Sequence, residues 1–432
     1  MIVFMVSMLQ NELLIQNVIH PSPLQLTIAV AGGGSGAISE LLAVAGASRT
    51  ILEAIIPYSE TSLIEFLSHK PEQFCSEKTA RQMAMTAFLR TKKLSQKFDA
   101  SRDFESISHL IGIGCTCSLA SDRPKHGDHR LHLAVQSFCQ TLVTSVIFQK
   151  GTRSRREEEQ LAADLLIVTI AVFAEQSYSE NHTASSDVLS KELQKLLRND
   201  EKVQIRSVVA PKIEQEILFG NNIGASFMPN ETPRNLSDSF AENIQYEKEP
   251  PYFLFPGSFA PFHRGHRRMI EIVYEKFGRD TQIALEIAVR NVDKPSIDYI
   301  DIQDRLTSIA QTLPSEKIPV WLTQLPRFTN KAEIFHGATF LVGTDTLKRI
   351  ALPNYYGGSV SARNKAIDLL TEKQCRFLCF ARKNDNGNIE TAEALELPEA
   401  LRHIVIGISP HEFCDDISST QLRRLNAAKI ST

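Results

Sequence analysis

Residues 255–266 read FPGSFAPFHRGH. An apolar run of strand length, YFLF, leads into the stretch. HRRMIEIVYEKFG follows it, with Met269, Val273 and Phe277 at i, i+4 and i+8 and Ile270 beside them. A buried strand, a turn-rich loop and an amphipathic helix are therefore predicted in that order. In open parallel sheets, ligands bind where a strand's carboxyl end turns into a helix. The first N–H groups of the helix and the positive end of its dipole favour an anion there. Gly257 and Gly265 read as positions where a phosphate approaches the backbone. His263 and His266 are three residues apart and project to one side of a first helical turn, so both can donate to one polyphosphate. Where a bond to the α-phosphorus breaks, such a donor contributes about 3 kcal/mol to lowering the barrier.

Gly257, Phe259, Pro261, His263, Gly265 and His266 fill every fixed position of G-x-F-x-P-x-H-x-G-H. In this the chain resembles the nucleotidyltransferase superfamily, cytidylyltransferase-like and of the nicotinamide/nicotinate mononucleotide adenylyltransferase type. The superfamily also holds phosphopantetheine and cytidylyl transferases. The resemblance implies a Rossmann-like parallel sheet over 251–432 and an ATP site that includes Gly257, Ser258, Phe259, His263, Gly265 and His266. ISSTQLRR, residues 417–424, is similar to the family's second phosphate element. It implies that Ile417, Ser418, Ser419 and Thr420 start a helix facing the triphosphate, with Arg423 gripping the β- or γ-phosphate by its fork. Gly343-Thr344-Asp345 resembles the family's G-x-D after a central strand, with adenosine against Gly343 and ribose hydroxyls on Asp345; a plain strand-to-helix turn is the alternative. Asn291, Lys294 and Arg305 match a further segment, in which Lys294 neutralises a substrate phosphate or the reacting α-phosphate. Trp321, the only tryptophan, reads as a core aromatic before a stacking platform. LPRFTNKAEIF, in the usual acceptor-loop region, matches no acceptor signature.

The amino-terminal half alternates strand-like and helix-like runs, again an α/β pattern. LTIAVAGGGSGAISELLAVAGASRTILEAIIPYS resembles the CinA carboxyl-terminal domain, whose family hydrolyses the amide of nicotinamide mononucleotide. The resemblance spans roughly residues 10–176. Where that family's turn reads A-E-S-C-T-G-G, this chain reads Ala31-Gly32-Gly33-Gly34-Ser35-Gly36-Ala37, which puts Gly33 at the serine position. Leu63 stands where a lysine is expected, and GIGCTCSLASD replaces the later G-I-A-G-P loop. Spacing shows no general base for Ser35. The expectation is a domain without amidase activity that binds a nucleotide or serves as a scaffold, its glycine run leaving N–H groups for a phosphate. Lys125, His126, Asp128 and His129 read as a polar surface loop.

The expected organisation is two α/β domains, a CinA-like one over 1–177 and a nucleotidyltransferase one over 251–432. Residues 178–250 form a polar, proline-containing connection with one short helix and a strand. A net charge of -3 gives no field for nucleic acid. Seven cysteines without metal-ligand spacing suit reduced thiols in the cytoplasm. LAADLLIVTIAVFAE carries Asp164 and is shorter than the ~20 residues a membrane helix needs.

These readings converge on adenylyl transfer from ATP, carried with Mg²⁺, to a small phosphorylated acceptor. His263, His266, Lys294 and Arg423 are the catalytic set, and no protein metal site is expected. Association with the CinA-like half favours nicotinamide or nicotinate mononucleotide as acceptor, hence a place in NAD biosynthesis; phosphopantetheine is the alternative. The rival class is a non-catalytic nucleotide sensor or scaffold. The sequence leaves open whether the chain forms a homo-oligomer.

Overall fold

The computed structural model describes residues 10–95, 108–123, 125–178, 183–220, 222–228, 234–235, 252–290, 297–314, 317–383 and 387–413. The chain divides into two compact units. One is Met1–Gln215 with Lys294–Ile300, and the other is Glu216–Asp293 with Asp301–Thr432.

The first unit is built from β1 (Gln25–Ala31), α1 (Gly36–Ala43), β2 (Ile51–Ile55), α2 (Glu60–Leu67), α3 (Glu77–Leu94), β3 (Leu110–Ser118), β4 (His129–Ser137), β5 (Gln140–Phe148), α4 (Arg155–Gln176), α5 (Ser186–Gln194) and β6 (Val203–Val209). The sheet runs β2-β1-β3-β4-β5-β6. β1 pairs in parallel with β2 and β3, and the remaining pairings are antiparallel. Ser76 caps α3 by accepting from Thr79 N–H at 3.1 Å, the cap the sequence predicts. Ser154 and Glu157 form a capping box on α4, which is buried along most of its length. Asp164 is tolerated inside because Asn11 and Gln160 donate to its Oδ1 at 2.7 and 2.9 Å. No helix among the described residues is long and apolar enough to cross a membrane.

Helix α3 lies directly on β3. A Cβ at Gly112 would stand 2.0 Å from Phe88 N and 2.3 Å from Ala84 O, and one at Gly114 2.2 Å from Ala80 O. Glycine is required there by close approach, not by turn geometry. The segment Ile297–Ile300, distant in sequence, belongs to this unit. Asp298 accepts from Arg81 Nη1 through both oxygens at 2.5 Å, both side chains being buried. Tyr299 N–H donates to Thr141 Oγ1 at 3.1 Å and its hydroxyl to Phe138 O at 2.5 Å. Within 178–250, read as a connection, the described residues supply strands to both sheets. Strand β6 completes the first one, and α6 (Lys212–Phe219) crosses the boundary between the units.

The second unit continues with β7 (Gly224–Phe227), β8 (Arg234–Asn235), β9 (Tyr252–Pro256), α7 (Arg264–Phe277), β10 (Gln282–Ala288), α8 (Tyr299–Thr312), β11 (Val320–Thr323), α9 (Phe328–Ile334), β12 (Thr339–Gly343), α10 (Thr344–Ala351), α11 (Val360–Glu372), β13 (Arg376–Phe380), β14 (Arg382–Lys383), β15 (Ile389–Glu390), α12 (Glu399–His403) and β16 (Val405–Ile408). Its main sheet runs β16-β13-β12-β9-β10-β11-β7-β8. All pairings from β16 to β11 are parallel, while β7 and β8 add an antiparallel edge. Successive strands step outward from β9 in one direction and from β12 in the other, the Rossmann order. The reversal falls between β9 and β12, whose paired register is Thr339↔Phe253 and Phe340↔Leu254. Phe328 packs edge-on to Phe340 and Phe377, which are tilted to each other, with ring centroids 5.2–5.5 Å apart.

Replacing Gly112 by alanine adds the smallest side chain and restricts the unfolded chain, which alone would stabilise. Because α3 backbone fills the space, the expected outcome is a loss of about 3 kcal/mol in urea unfolding of the full chain. A variant as stable as the parent would refute the close packing of α3 on β3.

Candidate functional site

The loop between β9 and α7 sits at the carboxyl edge, beside the reversal. Gly257 N–H donates to Glu286 O at 2.9 Å, and Phe262 N–H donates to Ser308 Oγ at 2.9 Å. These bonds anchor both ends of the loop to its own unit, to β10 and α8. Between them Phe259 adopts φ 45°, and its buried ring stands edge-on to Phe255 and His266 at 5.2 Å each. A Cβ at Gly257 would lie 2.6 Å from that ring. The glycine therefore makes room for Phe259. Phe259 itself is a structural plug of the loop. Ser258 is half-buried, Gly265 is buried in the first turn of α7, and the Ala260–Pro261 peptide is cis.

His263 is the N-cap of α7, in extended conformation, and not part of the first turn as predicted. The two imidazoles still meet. Their rings stack with centroids 3.7 Å apart and planes 23° apart. His263 N–H donates to His266 Nδ1 at 3.2 Å. That bond fixes the tautomer of a neutral His266, since Nδ1 accepts and Nε2 carries the proton. Burial first, then the neighbouring His263 and the charge of Arg382, hold the His266 pKa well below 6.5. The ring is thus a neutral donor, able to hydrogen-bond a phosphate oxygen without first gaining a proton.

Gly343 and Asp345 stand at the end of β12 and the start of α10. The space above Gly343, predicted to take adenosine, holds the side chain of Arg382. A Cβ at Gly343 would lie 3.0 Å from Arg382 Cδ. Arg382 Nη1 donates to Asp345 Oδ2 at 3.1 Å. Spacing gave no hint of this arginine, because it arrives from the end of a different strand. Arg305, on α8, pairs with Asp301 at 3.9 Å, and the neighbouring Ser308 holds the histidine loop. Asn291, Lys294, Ile417, Ser418, Ser419, Thr420 and Arg423 lie outside the described residues. Trp321 is a core aromatic, edge-on to Phe335 at 5.8 Å. Deeper at the same edge, Glu286 accepts from Lys331 Nζ at 2.7 Å and from Thr323 Oγ1 at 2.5 Å, all three buried. Lys331, from the unmatched LPRFTNKAEIF stretch, is therefore spent on an internal ion pair.

In the first unit the glycine turn is closed. Gly32 and Gly34 have φ 78° and 85°. A Cβ at Gly33 would lie 2.5 Å from Leu119 Cδ1 and 3.1 Å from Glu159 Oε2, so no serine fits at that position without rearrangement. The expected phosphate contact is taken by the chain's own carboxylate. Ser35 N–H and Oγ both donate to Glu159 Oε1, at 2.8 and 2.9 Å. Arg155 Nη2 donates to Gly32 O at 3.1 Å and lies 3.5 Å from Glu159. Glu159, distant in sequence, was beyond the reach of spacing. In the polar loop, Lys125, His126 and Asp128 are exposed, as read. His129 differs: it is buried, with Nδ1 2.8 Å from Glu158 Oε1, and Glu158 also accepts from Ala120 N–H.

Residues 254–425 match the profile of the family described as cytidylyltransferase-like. Solved structures similar to the amino-terminal part include the competence/damage-inducible protein CihA from Agrobacterium tumefaciens. It shares 18% identity over 37% of this chain and 93% of that one, with a TM-score of 0.29. A CinA superfamily protein from Escherichia coli shares 18% identity over 38% of this chain and 85% of its own, at TM-score 0.27. One from Klebsiella pneumoniae shares 12% identity over 38% and 95%, at TM-score 0.28. No curated protein matches the chain.

The neutral state of His266 is directly measurable. Because its folded pKa lies below 6.5, the unfolded chain takes the proton first as pH falls. The contribution to stability is complete above 6.5 and declines below it. Imidazole nitrogen resonances of His266 should keep the neutral Nε2–H pattern as pH falls from about 8 to about 6, where an unperturbed histidine is well into its titration. A midpoint near 6.5 would overturn this assignment.

Proposed function

We propose that the second unit transfers an adenylyl group from MgATP to a phosphorylated acceptor, nicotinamide or nicotinate mononucleotide, and releases pyrophosphate. The cytidylyltransferase-like profile over 254–425 supports nucleotidyl transfer in general. The observation that carries the finer reading is the stacked His263/His266 pair at the start of α7, beside the strand-order reversal. An acceptor phosphate oxygen attacks the α-phosphorus, its bond to the bridging oxygen breaks, and the pair of electrons leaves on pyrophosphate. The protein's work in such a reaction is positioning and charge stabilisation. His266 donates from Nε2 to oxygens on which charge grows, and the positive end of α7 adds to it. Lys294 and Arg423, named by the sequence resemblance and outside the described residues, are proposed to neutralise substrate phosphates. The nucleotide would be used as its magnesium complex, the metal offsetting phosphate charge with few protein ligands. The setting proposed is the cytoplasm, where ATP and free thiols such as Cys115 and Cys117 coexist.

The first unit is proposed to be non-catalytic. Glu159 already occupies the Ser35 N–H, and a side chain at Gly33 would have to displace Leu119 and Glu159. That occupancy supports a scaffold role rather than a catalytic one for this unit.

Two assays test these assignments. With ATP and a panel of phosphorylated acceptors, pyrophosphate release is expected with a mononucleotide acceptor, and His266→Ala should be slower by about 100-fold or more while folding normally. No pyrophosphate with any acceptor would transfer the sensor reading to the whole chain. Incubated with nicotinamide mononucleotide alone, the protein should release no ammonia; release that is abolished by Ser35→Ala would restore an amidase to the first unit.

A further inference from the structure

Arg382 stands where the nucleotide reading needs open space, and this suggests a role for it. Its side chain crosses Gly343 at the mouth of the β9/β12 reversal and pairs with Asp345 at 3.1 Å. The pair is exposed, 36% for the arginine side chain and 58% for the aspartate. Exposed pairs of this kind are weak and readily exchanged. The charge of Arg382 also opposes protonation of His266. One guanidinium therefore bonds a carboxylate suited to ribose hydroxyls and acts by its charge on an imidazole suited to phosphate.

We propose that Arg382 is a phosphate-binding residue of the nucleotide site, kept over Gly343 by Asp345 until a nucleotide polyphosphate draws it away. This rests on the nucleotide-binding reading of the same site. The exchange has two consequences. Nucleoside binding frees Gly343 and gives Asp345 a hydroxyl partner in place of a guanidinium. The freed fork then meets a doubly accepting phosphate, a geometry better suited to bidentate bonding than a single carboxylate oxygen. A nucleoside without phosphates must displace Arg382 with no compensating anion. The site is thereby built to discriminate against nucleosides.

Equilibrium binding of ATP and of adenosine to the full chain, followed by calorimetry without any acceptor, tests the proposal. In Arg382→Ala, ATP affinity should fall by about 10- to 100-fold, the range expected for a lost hydrogen-bonded charge. Adenosine affinity should stay the same or rise, because its site is now vacant. Arg382→Lys should recover part of the ATP affinity, and Asp345→Asn should raise the ratio of ATP to adenosine affinity. An unchanged ATP affinity in Arg382→Ala would overturn the assignment, as would equal losses for both ligands or a wild type that binds no ATP. If wild type binds ATP with this pattern yet makes no pyrophosphate with any acceptor, the transferase reading fails and the role of Arg382 stands.

Discussion

Everything at the candidate site follows from the reversal of strand order between β9 and β12. Neighbouring parallel strands normally carry their crossover helices to opposite faces only where the order reverses, and there the loops above the carboxyl ends separate. The two strands share register at Phe253 and Leu254. The chain beyond them is free to turn: one side supplies Gly257 to His263, and the other supplies Gly343 to Asp345. The histidine loop is then held by bonds to Glu286 O and Ser308 Oγ rather than by its own turns.

Rigidity around that opening is provided from beneath. Glu286, Thr323 and Lys331 form a buried charged network that ties β10, β11 and α9 together. Removing one partner of such a pair typically costs about 3–5 kcal/mol, because the other charge stays buried alone. Above it, Phe259 fills the space beside Gly257 and presents its edge to His266. Aromatic packing thus orients the imidazole pair, and desolvation by the same packing keeps His266 neutral. The neutral state of His266, which the proposed donation uses, is a consequence of how the loop is packed.

Much of this was legible in residues close together in sequence. The apolar run before Gly257, the spacing of Met269, Val273 and Phe277, and the cap at Ser76 are local signals and were read correctly. Local signals also gave the strand-loop-helix position of the histidines. What spacing does not carry are contacts across the fold. Gly343 faces Arg382, and Ser35 meets Glu159 from another helix. Residues 297–300 join the first unit although they are flanked by elements of the second. None of these has a period or a spacing, because each partner is chosen by tertiary packing. The glycine turn illustrates the limit: its φ values suit an anion-binding loop, but the anion is a side chain of the same protein.

The central claim is that a nucleotide triphosphate binds at the carboxyl ends of β9 and β12 through the paired imidazoles. A crystal structure with an ATP analogue carrying a methylene bridge between the α- and β-phosphorus tests it most directly. The account predicts phosphate oxygens within hydrogen-bond distance of His266 Nε2 at the start of α7. Electron density for the analogue at the Gly32–Ser35 turn, or anywhere that leaves His263 and His266 without contact, would contradict it.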